Sequence, residues 1–543
     1  MYLNIIFNVI GGLGIFLYGM ENMSSGMQKL AGKRLKKILA ALTTNRFMAI
    51  IIGIFITMLV QSSSVSTVMT IGFVNASLLT LKQALGVILG ANIGTTVTGW
   101  LLVLNIGKYG LPITGAAAIF YVFLKGDRAK TRCLTFMGLG LIFFGLTLMS
   151  NGLKPIRSMP EFIELFKMFH ADTYFGAIKV ALVGACITAI VQSSAATLGI
   201  TITLAMQGLI DYPTAVALVL GENVGTTITA FLASMGATVN AKRAAYAHTI
   251  INATGVLWVT AIFPFYIKFL STMVDTNKNI VFGIATAHTM FNILNIFLFI
   301  PFTGPLSNFL EKVIKGSGKE NEKMTKLDKL MVKTPSIVVA QTKVEILAMG
   351  QHIKEMMFAL EETFAKNEVI SDTKLSRLQQ LEINLDLYQK EITDINFLIL
   401  NENLTDNMRN ETRNNLEVSD EYETISDYLM RIAKSIRKIQ DSDIQINENS
   451  RRTLFDLNEH IEILFREINM SFEKQNKEGF INAITKANEI TTKFREARNF
   501  HIQNVKEGCS AVFSTSYMDI LNHYRRIRDH IFNIIEIYTR EKY

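Results

Sequence analysis

The sequence predicts an all-α fold: a polytopic membrane domain followed by a soluble helical domain. Three observations carry this. The first is texture. Residues 1 to about 305 are rich in Gly, Phe, Ile and Leu, whereas 341–543 are densely charged, so the 543-residue chain reads as two domains joined by a linker at 306–340. The second is length. Apolar stretches long enough to cross a bilayer run at about 3–22, 84–104, 110–124, 133–153, 214–234, 244–266 and 280–305. The third is a polar phrase written twice inside the apolar sequence. VQSSSVSTVMTI at 60–71 precedes LGANIGTTVT at 89–98, and VQSSAATLGITI at 191–202 precedes LGENVGTTIT at 220–229.

Both phrases recur at an offset of 131, so the copies align from Gly53 to Leu101 without a gap, with 19 identities over 49 positions. Nine of the identities are Thr, Gln, Ser or Asn and three are Gly, which shared apolar composition alone would not produce. The duplication extends upstream, where LGIFLYGMENMSSG at 13–26 resembles LGLIFFGLTLMSNG at 139–152 at an offset of 126. Repeat one is therefore placed at about 1–132 and repeat two at about 133–305. Polar groups at membrane depth are costly, so a duplicated set points to a site.

Around each QSS triplet about 14 apolar residues precede the polar group and a similar number follow it. Each arm is too short to span comfortably, and two such arms meeting at a polar tip read as a re-entrant helical hairpin. One long helix through the motif is the alternative. Basic residues test the choice. Lys29, Lys33, Arg34, Lys36, Lys37 and Arg46 place a first loop in the cytoplasm, and Lys125, Arg128, Lys130 and Arg132 place a second there. An even number of crossings must separate them, which holds when 47–80 is a hairpin. Continuing to the loop with Lys242 and Arg243 puts three crossings between the hairpins. The repeats are then inverted in the membrane, and the C-terminal domain is cytoplasmic.

Charge and cysteine content exclude other classes. Up to residue 305 there are 20 Lys plus Arg against 8 Asp plus Glu, a net +12, and beyond it 34 against 38, a net −4, so the positive excess belongs to the membrane part. Its basic residues sit in short loops with no stacked Arg and aromatic stripe, which argues against nucleic acid as a partner. Cys133, Cys186 and Cys509 are too scattered for a disulfide framework or a zinc site. The N-terminus lacks a basic leader segment and reads as a retained helix. No nucleophile and base pair emerges, so an enzyme fits least well.

The C-terminal domain has no proline after Pro335, and apolar residues recur at three and four spacing among charges, as in amphipathic helices of a soluble bundle. DEYETISDYLMRIAKSI at 420–436 and LNHYRRIRDHIFNIIEI at 521–537 share Tyr, Ile and Asp at an offset of 102. Two three-helix halves joined near 441–450 are expected, with Gly316, Ser317 and Gly318 in the linker.

The duplicated phrases suggest their chemistry. Gln61, Ser62 and Ser63, with Gln192, Ser193 and Ser194, offer hydroxyls and amides beside the N-terminus of each second hairpin helix, where anions are attracted. Gly90 and Gly94 flank Asn92, and Gly221 and Gly225 flank Asn223, inside otherwise helical spans, so unwinding is expected there. Broken helices expose carbonyls which, with Thr95, Thr96, Thr226 and Thr227, form the hard oxygen cage a sodium ion prefers.

From Asn22 to Gly126 there is no Asp or Glu, and no Lys or Arg lies in either QSS or GTT phrase. An anion at such a neutral site is best accompanied by cations. The competing reading is that Ser, Thr and Gly, including Ser64, Ser66, Thr67, Thr98 and Thr229, merely pack helices closely. Glu222, the one acidic residue in either motif, could bind a cation or proton, or cap a helix or face water. A smaller echo, AHTIIN at 247–252 and AHTMFN at 287–292, reads as structural interhelical hydrogen bonding by His248, His288, Asn252 and Asn292.

With QSSSVST, QSSAATL, NIGTT and NVGTT, residues 1 to about 305 resemble the type II sodium/phosphate cotransporter family in its bacterial form. The resemblance implies phosphate contacts at Gln61, Ser62, Ser63, Ser64, Asn92, Gln192, Ser193, Ser194 and Asn223. It implies sodium at Thr95, Thr96, Thr226, Thr227, Gly90 and Gly221. Ala195 stands where the first copy has Ser64, so the two ligand sets are not symmetric. The C-terminal domain resembles PhoU, a helical regulator of bacterial phosphate uptake, and TPSIVVAQTKVEILAMG at 334–350 looks like the entry to such domains. Glu423 and Asp427 match the Glu-x-x-x-Asp pattern with which PhoU-like proteins hold a divalent metal, while the second copy reads Arg525 to Asp529; a solvated helix face is the alternative. These resemblances imply sodium-driven phosphate symport by alternating access at the inner membrane, with phosphate, sodium and the bilayer as partners and a homodimer as an assembly left open. Transport of another oxyanion, phosphate export, and a phosphate sensor without net transport are the alternatives.

Overall fold

The computed structural model describes residues 2–40, 45–104, 107–159, 169–276, 278–315, 323–366, 368–402, 404–504 and 510–539. Cys509 and the Gly316–Ser317–Gly318 stretch lie outside them. Every regular element among the described residues is helical. Two compact units emerge, Met1–Asn321 with Asp328–Ile337, and Glu322–Leu327 with Val338–Tyr543.

The first unit opens with α1 (Tyr2–Ala40), α2 (Arg46–Val60), α3 (Ser63–Asn75), α4 (Leu81–Val103), α5 (Gly107–Phe123) and α6 (Asp127–Leu153). It continues with α7 (Tyr174–Val191), α8 (Ser194–Met206), α9 (Tyr212–Gly225), α10 (Thr227–Ala233), α11 (Val239–Ala261), α12 (Phe263–Met273), α13 (Ile280–Phe299) and α14 (Thr303–Val313). Six of these stretches are long and apolar enough to cross a membrane, and α11 with α12 makes a seventh bent by 86°. The protein is thus an all-α polytopic membrane protein.

Several boundaries differ from the sequence expectation. Tyr174–Val191, expected as a short hairpin arm, is itself long enough to span. The stretch at 244–266 breaks at Ile262, because Pro264 opens α12, and the stretch at 280–305 ends at Phe299 just before Pro301. Lys33, Arg34, Lys36 and Lys37 lie on the helical extension of α1, and Lys242 and Arg243 on the first turn of α11, rather than in loops. The stretch expected as a linker carries α14 and a 3-10 turn at Lys329–Met331. That turn packs on α3. Leu330 covers Gly72, Asn75 donates to Asp328, and Met331 is fully buried.

The repeats are visible in the packing. α2 lies along α4 as α7 lies along α9, and α3 and α8 each span 13 residues starting at repeat-related serines. Thr80 and Asp211, also repeat-related, cap α4 and α9. α1 and α6, matched at an offset of 126, run antiparallel: Gly12 faces Gly145 while Gly19 faces Gly138. Each glycine thus meets the counterpart of the other, the reciprocity of a local two-fold axis. Side chains at these glycines would strike opposing backbone, which is why the crossing is so close.

The second unit contains α15 (Pro335–Lys366), α16 (Asp372–Leu400), α17 (Asp406–Gln440), α18 (Glu448–Lys474), α19 (Lys477–Asn504) and α20 (Ala511–Thr539). Amphipathic spacing buries Tyr422, Ile425, Leu429, Ile432 and Ile436 of α17 against Tyr524, Ile527, Ile531 and Ile534 of α20. These two helices again cross reciprocally: Glu421 meets His530 while Tyr428 meets His523, residues matched at an offset of 102.

Candidate functional site

Each QSS triplet ends one helix and starts the next in the same way. Gln61 closes α2 in the left-handed conformation (φ 55°, ψ 26°) and Gln192 closes α7 likewise (φ 55°, ψ 25°). Their backbone N–H groups donate to Thr57 O and Thr188 O, both at 2.7 Å. Ser62 and Ser193 then turn extended, and their hydroxyls accept from Val65 N at 3.3 Å and Ala196 N at 3.2 Å, capping α3 and α8. A glutamine with positive φ costs about 1–2 kcal/mol, and its repetition marks the tip as a built feature. It sharpens the reversal, so that the first turns of α3 and α8 present free backbone N–H groups.

Between the two tips lies a small polar cavity lined by Ser63, Asn92, Thr95, Ser194, Asn223 and Thr226. These are three repeat-related pairs, each separated by 131. The lining holds no charged side chain, and its hydroxyls and amides, with two helix N-termini, are groups that hydrogen-bond an anion.

Other expected residues stand back from the cavity. Ser62 and Ser193 are occupied as caps, and Ser64 is half-buried outside the lining. Gln61 is buried and donates to Met58 O at 2.6 Å, whereas Gln192 is exposed. Thr96 donates to Ile93 O in its own helix and Thr227 donates to Val224 O at the end of α9, each at 2.8 Å.

The expected unwinding around the glycine pairs is corrected. α4 runs unbroken through Gly90, Asn92 and Gly94, and the second copy is interrupted only at Thr226, which keeps right-handed helical angles. The glycines serve close packing instead: a Cβ at Gly90 would lie 2.0 Å from Ile50 O, and one at Gly221 1.8 Å from Ala181 O. Carbonyls that stay in the helical ladder are poor cage ligands, so the oxygen donors of the cavity are side chains.

A layer behind the cavity holds the asparagines in place. Asn92 Nδ2 donates to Asn252 Oδ1 at 3.1 Å. Asn223 Nδ2 donates to Val219 O at 2.8 Å, and its Oδ1 sits 3.3 Å from His288 Nε2 and 3.5 Å from Asn292 Nδ2. Asn252, His288 and Asn292 of the AHTxxN echo therefore make the expected interhelical hydrogen bonds, to the two site asparagines, whereas the buried Nδ1 of His248 has no partner. The duplicated spacing signals the bonding but not its destination.

In the second unit, Asp427 gathers with Glu382 and Asp386 of α16, their carboxylate oxygens within 4.8 Å of one another. Glu423 stands outside this trio, so the Glu-x-x-x-Asp pair expected from α17 alone is not the cluster that forms. Packing of α16 on α17 selects the partners, and Arg431 Nη2 lies 3.6 Å from Asp427.

A polar cavity between repeat-related helix ends, inside a polytopic bundle, is where many membrane transport proteins place a substrate site. A family model described as "Na+/Pi-cotransporter" matches residues 15–151 and 164–290, and the chain belongs to that family. It is 31% identical over 290 residues to "Uncharacterized protein YqeW" of Bacillus subtilis (strain 168), covering 53% of this chain and 91% of that protein. Over 357 residues it is 27% identical to "Putative inorganic phosphate export protein YjbB" of Escherichia coli O157:H7, covering 65% of this chain and 64% of that one. A 98-residue stretch is 36% identical to "Sodium-dependent phosphate transport protein 2B" of Homo sapiens, covering 18% of this chain and 14% of the human protein. No solved structure matches the chain.

Proposed function

We propose that this protein carries inorganic phosphate across the bacterial inner membrane together with sodium, by alternating access to the cavity between the two QSS tips. The observation that carries the reading is the lining itself, three repeat-related pairs of neutral polar side chains, of which Ser63 and Ser194 stand at the N-termini of α3 and α8. Such a site holds an anion by hydrogen bonds and needs co-bound cations to offset its charge. Ser63, Ser194, Asn92 and Asn223 are the phosphate contacts in this reading, and Thr95 and Thr226 the nearest sodium donors. The antiparallel, reciprocal crossing of α1 and α6 supports an inverted repeat, which would let the two tips exchange roles as the site opens to either side. The second unit is read as a PhoU-like cytoplasmic regulator.

The test is radiolabelled phosphate uptake into proteoliposomes with and without an inward sodium gradient. Accumulation should require sodium. Replacing Ser63 or Ser194 by Ala removes one hydrogen bond to a charged ligand, worth about 1.5–3 kcal/mol, so affinity should fall roughly tenfold to a hundredfold. Uptake indifferent to sodium would overturn the symport.

Export is the second reading, favoured by the name of the Escherichia coli relative. Vesicles loaded with phosphate distinguish it: export predicts efflux that an inward sodium gradient does not reverse. Ligand binding with no flux in either direction would instead make the chain a sensor.

A further inference from the structure

The two repeats are not equivalent at one position beside the cavity. Repeat one has Ala91 and repeat two has Glu222. Glu222 is fully buried, and neither carboxylate oxygen has a hydrogen-bond partner. One turn further on, Thr226 lines the cavity at 5% exposure with its hydroxyl also unpartnered. Its counterpart Thr95 is different: that hydroxyl donates to Ala91 O at 2.9 Å. At this pair of positions, therefore, the unpartnered hydroxyl is the one beside the acidic residue.

The neighbour facing Glu222 is His288, whose Nδ1 lies 3.8 Å from Oε1 and likewise has no hydrogen-bond partner. Because Asn223 Nδ2 is committed to Val219 O, Asn223 Oδ1 accepts, and His288 donates to it from Nε2. The neutral imidazole then turns a bare lone pair at Nδ1 toward the carboxylate. Two acceptors face each other with no donor between them. At 3.8 Å they are too far apart to share a hydrogen bond. Two lone pairs turned toward each other without a proton between them suit a cation.

We propose that Glu222, with His288 and the Thr226 hydroxyl, forms a sodium site in repeat two that repeat one lacks. This rests on the symport reading and deepens it. The cation supplies the counter-charge that a buried carboxylate requires, and no Lys or Arg among the described residues lies within ion-pairing distance of Glu222. His288 also ties this ion to the cavity through Asn223, so occupancy of the cation site should steady one wall of the anion site. An asymmetric charged ligand makes one sodium unlike any held by neutral oxygens alone.

The experiment is radioactive sodium binding to the purified intact chain without phosphate, comparing wild type with Glu222→Gln and Thr226→Val. Glu222→Gln should weaken the tightest sodium binding by at least about tenfold, since affinity follows ligand charge, and Thr226→Val by less. If the Gln variant does not fold, Glu222→Asp keeps the charge and must keep saturable sodium binding with altered affinity. Wild-type sodium binding in a folded Glu222→Gln protein would overturn the proposal, as would no sodium binding by the wild type. Loss of pH response alone, with sodium binding intact, would overturn it in favour of a proton. Phosphate uptake measured in parallel keeps the two readings apart: sodium-independent uptake sinks the symport, while the binding assay still decides Glu222.

Discussion

Residue identity at the site is governed by what each side chain can reach. Asn92 and Asn223 stand out by their place in a repeated phrase, and each is held by a partner from a helix far along the chain, Asn252 in one case and His288 with Asn292 in the other. That pairing is illegible in the sequence because nothing local dictates which helix faces which. The glycines show the same limit from the other side. Gly90 and Gly221 look like helix breakers in the sequence, yet at both positions a neighbouring carbonyl occupies the space a side chain would need. Packing explains them fully, and it makes a definite forecast. Gly221→Ala should lower stability by about 1–3 kcal/mol or more through overpacking, visible as a lower unfolding temperature in detergent. An unchanged midpoint would mean that α7 and α9 part easily.

At the scale of elements, the tips of the two hairpins are alike in backbone and unlike in exposure. Gln61 is buried while Gln192 is exposed, and Ser63 is buried while Ser194 is half-buried. The first tip is thus the more buried of the two, an asymmetry that the proposed alternating access would require of a single state. In a background free of other cysteines, Gln192→Cys should react with a polar maleimide much faster than Gln61→Cys, and phosphate with sodium should slow it. Equal rates at both positions would count against an asymmetric state. The helix break at each QSS is legible because Ser and Gln interrupt an apolar run. The turn at Lys329–Met331 seated on α3 is not, since it lies in a stretch whose composition reads as linker.

The whole molecule uses duplication twice, in the membrane unit and in the helical unit, and both times matched helices cross antiparallel with reciprocal contacts. The helical unit also concentrates like charge. Burial first, then Asp386 and Asp427, hold the Glu382 carboxyl above its ordinary value; burial and then Asp427 do the same to Asp386 and Glu423. A carboxyl raised on folding stabilises most below its unfolded pKa, and that contribution is lost as pH rises through the folded value. Asp386→Asn should therefore raise the melting temperature of the second unit more at pH 7 than near pH 4. The gain stays within about 1 kcal/mol because solvent screens this half-exposed cluster. A larger gain at acid pH would refute the repulsion. The sequence by itself determined the two domains, the duplication and the polar phrases, because apolar length, charge density and repeated spacing are properties of the linear chain. Tertiary structure alone decided that α4 stays whole, that Thr95 and Thr226 line the cavity while Thr96 and Thr227 bond to carbonyls three residues back, and that Glu222 meets His288. Those outcomes depend on which helices approach closely enough to exclude water, and that distance is set by packing rather than by any local run of residues.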